Sequence, residues 1–238
     1  MYGYGYGWLF DPTYILVIFG LIITMIASAN VKSTFARYNK VLSRRGMTGA
    51  ETVRRILDAN GLHNIRIEHV RGSLSDHYDP KNGVIRLSDD TYNSTSVAAI
   101  GVAAHECGHA IQHQVGYVPI KVRNGIVPFV NICNYASIPL IMIGLLLGSR
   151  GYNLAMLGVV LFSAVLVFQL VTLPTETNAS KRALVTLENM YMLDEEELKG
   201  AKKVLSAAAM TYFAGVASTA LQVLRLFLIV QNSNRRRR

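Results

Sequence analysis

Four apolar stretches limit what this chain can fold into more than any other feature. They run from about Tyr14 to Ala29, Ile126 to Leu147, Leu154 to Leu173 and Val204 to Val230. A helix needs about 20 predominantly apolar residues to cross the hydrocarbon core of a bilayer. Inside that core every backbone N–H and C=O must find an internal partner, so such segments span as helices. The clustering accounts for the composition: 51 % of the 238 residues are hydrophobic and 16 % charged, against about 25 % charged in soluble domains. A disordered chain, a coiled coil and a disulfide-rich miniprotein are excluded. Cys107 lies in a polar motif and Cys133 in an apolar run, so the cysteines form no disulfide framework.

The first stretch comes after the segment MYGYGYGW, whose Tyr2, Tyr4, Tyr6 and Trp8 suit a membrane interface. It lacks the positive n-region of a cleavable signal peptide and reads as a signal anchor. Only residues 148–153 separate the second and third stretches, which predicts a helical hairpin. The polar segments on either side of that hairpin then lie on one side of the membrane. Pro128, Asn131, Asn134 and Pro139 in its first arm are expected to face protein rather than lipid. The fourth stretch carries Arg225, a costly charge unless it snorkels or pairs. That helix either spans or packs on the polar part of the chain and ends in the interface.

Charge sets the orientation. Residues 30–125 hold 13 Lys and Arg and residues 174–203 hold 5, whereas the hairpin tip holds 1 and the N-terminal arm none. The positive-inside rule puts both polar segments in the cytoplasm and the N-terminus outside. Arg235 to Arg238 oppose this if the fourth helix spans. The net charge of +9 is spread along membrane flanks with no recognition motif, which argues against nucleic acid.

The polar segments carry recognisable local signals. Residues 48–61 predict a helix, with Thr48 and Glu51 as a capping box, Val53, Ile56 and Leu57 as the apolar face and Gly61 as the stop. Ile65 to Val70 alternate like a strand, Gly72 to Tyr78 is a second candidate, and Asp79-Pro80-Lys81-Asn82-Gly83 predicts a turn into a returning strand Val84 to Leu87. The next element is a helix through Gln114, capped by Ser94 or Thr95. The acidic run Asp194 to Glu197 reads as a solvated helix start that suits the helix dipole.

That central helix holds His105-Glu106-Cys107-Gly108-His109, an H-E-x-x-H. Histidines four apart lie on one helical face, one turn apart, and can chelate one Zn²⁺. The adjacent Glu106 is then placed to take a proton from a zinc-activated water and pass it to the leaving amine. A catalytic zinc needs a third protein ligand. His113 fails, because eight residues from His105 is about 12 Å along the axis. Glu176, just after the third apolar stretch, is favoured over Glu188, because a helix starting near Pro174 or Thr175 would carry it toward the histidines. Cys107 faces away from both histidines and reads as packing. Asp76 to Pro80 reads either as a structural turn or as a source of an oxyanion donor, His77 or Tyr78, beside an edge strand able to pair with an extended substrate. Arg182 reads as a basic flank.

These motifs together resemble the YugP-like neutral zinc metallopeptidases. The segments that carry the likeness are TGAETVRRILDANGL, LSDHYDP, VIRLSDDTYNSTSVAAIGVAAHECGHAIQ and LPTETNASKRAL, and it runs from about residue 30 to the C-terminus. At lower similarity the family resembles the HtpX-like and CaaX-prenyl endopeptidases. The resemblance implies His105, His109 and Glu176 as metal ligands, Glu106 as general base, and one Zn²⁺ per chain. Family members often read E-F-D-A-S where this chain has Glu176 to Ser180, so Asn178 stands in place of an acidic residue.

The expected architecture is a mostly α, integral membrane protein: three to four transmembrane helices with a small α+β zincin-like metalloprotease domain. The expected divisions are 1–29 for the arm and first helix, 30–125 for the cytoplasmic domain with the H-E-x-x-H helix and 126–173 for the hairpin. Residues 174–203 form the third-ligand segment and 204–238 the last apolar helix and basic tail. The expected activity is a multi-pass endopeptidase of the cell membrane, with its site on the cytoplasmic side, acting on membrane or membrane-proximal polypeptides. The competing readings are an inactive zinc-binding scaffold and an intramembrane metalloprotease.

Overall fold

The protein is described by a computed structural model covering residues 12–235. The aromatic interface residues Tyr2, Tyr4, Tyr6 and Trp8, and Arg236 to Arg238 of the basic tail, lie outside the described residues. The elements run α1 (Tyr14–Tyr38), α2 (Gly49–Ala59), β1 (Arg66–His69), β2 (His77–Asp79), β3 (Val84–Leu87), α3 (Val97–Gln114), α4 (Val118–Leu146), a 3₁₀ turn (Gly148–Gly151), α5 (Tyr152–Asn189) and α6 (Glu195–Arg235). Four segments, Tyr14–Tyr38, Val118–Leu146, Gly148–Asn189 and Glu195–Arg235, are helical and are long and apolar enough to cross a membrane. The chain is thus a mostly α-helical membrane protein with a small α+β part. It divides into two compact units. One holds the described residues up to Ala27, Arg123–Val171 and those from Tyr212 on; the other holds Ser28–Val122 and Thr172–Thr211.

In the first unit the hairpin of α4 and α5 is packed through glycines. A Cβ on Gly144 would strike the Ala155 backbone, and one on Gly158 would come within 2.7 Å of the Ser137 carbonyl. Small residues let helix backbones approach closely where apolar burial gives no drive between helices in lipid. Ile141, Ala155, Val159, Leu226 and Val230 form the buried cluster there. Arg225 is accommodated by pairing: its guanidinium lies 4.4 Å from the centre of the Tyr14 ring, a cation–π contact that gains strength where water is excluded. The expectation for the polar and proline residues of α4 is corrected. Pro128, Asn131, Asn134 and Pro139 are all exposed. The packed face of α4 instead runs through Val130, Cys133, Ser137 and Ile141, at helical spacing that turns the other four outward.

The second unit contains the polar elements. α2 begins at a capping box, with Glu51 N–H donating to the Thr48 hydroxyl and Thr48 N–H donating to the Glu51 carboxylate. Val53, Ile56 and Leu57 are buried as the pattern predicts. The sheet order is β1-β3-β2, parallel between β1 and β3 and antiparallel between β2 and β3. β3 is central, and its Val84, Ile85 and Leu87 are fully buried. The Asp79 carboxylate accepts from the Lys81 and Asn82 backbone and the Asn82 side chain, closing the predicted turn. The second candidate strand is shorter than expected, only His77–Asp79. Asp76 ends it by accepting from the backbone and hydroxyl of Ser88.

Three further expectations are corrected. The cap of α3 is Ser96, whose hydroxyl accepts from Ala99 N–H and donates to the Asn39 side chain, so the cap also holds the end of α1. No new helix starts near Pro174. α5 continues through it without a break to Asn189. The acidic start of α6 is only partly solvated. Asp194 and Glu197 cap it reciprocally, and buried Glu197 also accepts from Arg44 N–H.

Candidate metal centre

α3 is small and apolar because it is surrounded. Thirteen of its residues are buried, from Val97 to Gln112, in a core with α2, β3, α5 and the start of α6. Gly101 brings it against Ala201 of α6, where a Cβ would meet the alanine methyl at 3.3 Å. Gly108 brings it against α5 still more closely: a Cβ there would stand 2.5 Å from the Ala179 carbonyl oxygen. Inside the H-E-x-x-H motif, this glycine therefore sets how near α5 comes to the two histidines. Gly108→Ala should force the helices apart and cost about 1–3 kcal/mol, the usual penalty of overpacking. Thermal unfolding of the purified protein checks this; an unchanged midpoint would contradict the close approach.

Across that contact α5 presents Thr172, Thr175, Glu176, Ala179, Ala183 and Leu187 as its buried face. Glu176 Oε2 lies 3.4 Å from His105 Nε2 and 3.4 Å from His109 Nε2. The two imidazoles stand edge to face, ring centres 4.7 Å apart. Glu176 Oε2 is buried, yet neither contact has hydrogen-bond alignment and no other partner satisfies it. A buried carboxylate oxygen left so is costly unless something cationic takes its charge. Donors about 2.0–2.1 Å from a tetrahedral centre stand about 3.3–3.4 Å from one another. The spacing therefore fits a zinc ion, and the N/O donor set is one zinc accepts. The structure brings His105, His109 and Glu176 together as a group that could hold a metal.

The outward nitrogens are also held. With Nδ1 protonated, His109 donates to Gln112 Oε1 at 3.1 Å and His105 donates to the Ser180 hydroxyl at 3.1 Å. The Gln112 carbonyl oxygen can only accept, so this bond fixes the His109 tautomer that leaves Nε2 free to ligate, while the Ser180 hydroxyl orients the His105 ring. Gln112 is fully buried and donates to the Thr175 carbonyl and to Asn178 Oδ1, at 2.8 and 3.0 Å. Asn178 in turn accepts from Arg182 at 2.8 Å. The Asn178 amide oxygen thus accepts from both Gln112 and Arg182, and Arg182 positions Asn178 rather than forming a mere basic flank. Sequence reasoning missed Gln112 and Ser180. The only sequence signal was their spacing, three residues after His109 and four after Glu176. Burial lowers the His109 pKa, but the Glu176 and Glu106 carboxylates outweigh it, and the net shift is upward.

Glu106 lies on α3 and is buried, with its charge acting on His109. Cys107 points the other way, fully buried with Sγ 3.9 Å from the Val53 carbonyl. His113 lies outside the cluster, its ring edge-on to Tyr78 at 6.2 Å. Glu188 is exposed and also outside it. His77 is not brought to the cluster. Neighbouring side chains on a strand point to opposite faces: Tyr78 turns toward α3, and His77 instead meets the Ser75 carbonyl and Arg86.

Residues 13–231 match the family described as "Putative neutral zinc metallopeptidase". The chain belongs to this family. It is also 46 % identical over 217 residues to the "Putative membrane protease YugP" of Bacillus subtilis (strain 168), a match covering 91 % of this chain and 96 % of that protein. No solved structure matches. The family and its Bacillus relative support a protease function, with zinc as the metal and the membrane as its setting. The zinc-like spacing of the three side chains agrees with that family assignment.

Proposed function

We propose that the protein is a multi-pass membrane zinc endopeptidase with one zinc per chain, held by His105, His109 and Glu176. The observation that carries this reading is the buried, unsatisfied Glu176 oxygen placed 3.4 Å from both H-E-x-x-H imidazoles. Zinc, when bound, supplies Lewis acidity that polarises the scissile carbonyl and makes water acidic enough to attack near neutral pH. Glu106 takes the proton of the attacking water and delivers it to the leaving amine, so one carboxylate serves as base and then acid. Gln112 holds His109 in the ligating tautomer, and Ser180 orients the His105 ring. Tyr78 is the oxyanion donor this reading offers on β2, since its ring faces α3 at His113, one turn beyond His109. β2 is an edge strand, so an extended polypeptide can add to its free side.

The basic flanks of the spans favour a cytoplasmic site, with 30–125 and 174–203 as the polar segments that the apolar stretches set apart around the 126–173 hairpin. Burial of α3 in a core with α2 and β3 accounts for its apolar sequence without placing it in lipid, which favours this reading over an intramembrane protease. The test is cleavage of an unfolded polypeptide by the full chain in proteoliposomes. Cleavage should stop with a zinc chelator and return with added zinc. Cleavage that persists through chelation would exclude the metal mechanism, and no cleavage of any membrane-proximal polypeptide would favour the scaffold.

A further inference from the structure

A cationic groove lies between the end of α1 and the start of α6, within the second unit. Asn30, Thr34, Arg37 and Tyr38 share one face of α1, and Lys199, Lys202, Lys203, Ser206, Ala207 and Met210 share one face of α6. They line an open groove of about 530 Å³. Two contacts fix the level of the helices: Phe35 packs with Val204, and Tyr38 crosses at Gly200, where a Cβ would come 2.8 Å from its ring. The helices therefore run antiparallel along the groove, with Arg37 level with Lys199 at one end and Asn30 toward Met210 at the other.

The groove is polar and cationic at the first end and turns apolar at the second. Asn30 directly follows the apolar stretch of α1, and Ala207 and Met210 open the apolar stretch of α6. Lys199 is paired with Glu195 and Glu196. Arg37, Lys202 and Lys203 are exposed and form no ion pair among the described residues. Three cations without an acidic partner line this groove, Arg37 also lying 5.8 Å from the centre of the Tyr38 ring, and with the hydroxyls of Thr34 and Ser206 one turn away they are complementary to a phosphate. A basic cluster at the cytoplasmic end of membrane helices is where anionic lipid headgroups are bound. The graded polarity matches a phospholipid, phosphate outward and glycerol and chains toward Met210, better than it matches a free ion.

We infer that this groove binds the phosphate of an anionic phospholipid through Arg37, Lys202 and Lys203. The inference is independent of the metal centre and rests on the orientation proposed above, with this end of α1 and α6 at the cytoplasmic face. It is tested by native mass spectrometry of the full chain titrated with phosphatidylglycerol, phosphatidylcholine or inorganic phosphate. Each surface cation contributes about fivefold to affinity for an anionic lipid. Phosphatidylglycerol should therefore bind more tightly than phosphatidylcholine, and Lys202→Gln/Lys203→Gln should weaken it about 25-fold. Arg37→Gln, as a second variant on a different helix, should weaken it about fivefold. Arg71→Gln/Lys81→Gln, which removes two exposed cations outside the groove, should leave it unchanged. Equal binding of the two lipids, equal loss in both double variants, or displacement of the lipid by an equal concentration of inorganic phosphate would overturn the assignment.

Discussion

Glu106→Gln is expected to keep zinc at the wild-type level while lowering peptide-bond hydrolysis by about 10²–10⁴-fold, the usual contribution of a positioned general base. The substitution is nearly isosteric, so the packing around α3 should survive. It removes the group that accepts the proton of the attacking water and leaves His105, His109 and Glu176 in place. The side chain is buried beside His109, and the amide also removes a negative charge that favours protonated His109. Metal affinity should consequently not fall on acidification any sooner than in the wild type. Zinc content and cleavage rate measured on one preparation decide the matter. Loss of both together would make Glu106 structural, and retention of both would remove it from the chemistry.

Glu176→Ala should have the larger effect on metal. Losing an outer partner of a ligating histidine costs about 10–100-fold in affinity, and losing a ligand should exceed that. The alanine also removes the one carboxylate that balances the ion's charge against the two imidazoles. Zinc should be absent after dialysis against a weak chelator that the wild type withstands. Glu188→Ala is the matched control: twelve residues along α5 is about 18 Å, and its exposed carboxylate lies outside the cluster. Equal zinc in the two variants would disprove the role given to Glu176.

Much of this architecture is legible in the chain because the signals are local. The Thr48–Glu51 box, the Asp79–Gly83 turn and the H-E-x-x-H spacing each act within a few residues. What the sequence conceals depends on distance across the fold. Ser96 rather than Ser94 or Thr95 caps α3 because Asn39 reaches it from α1. Helix α5 runs through Pro174, so Glu176 is carried on the same helix as the third apolar stretch instead of on a new one. Ser180 and Gln112 gain their roles only once Gly108 lets α3 and α5 touch. The outward Asn131 and Asn134 mislead for a related reason: polarity alone does not say which face of a helix is packed, and the small and apolar residues of α4 decide it.

Zinc X-ray absorption on the purified full chain tests the proposed metal centre most directly. About one zinc per chain is expected, with two imidazole nitrogens and carboxylate and solvent oxygens at about 2.0–2.2 Å. A sulfur shell at about 2.3 Å, which would bring Cys107 to the metal, or protein that takes up no zinc when it is supplied, would contradict it.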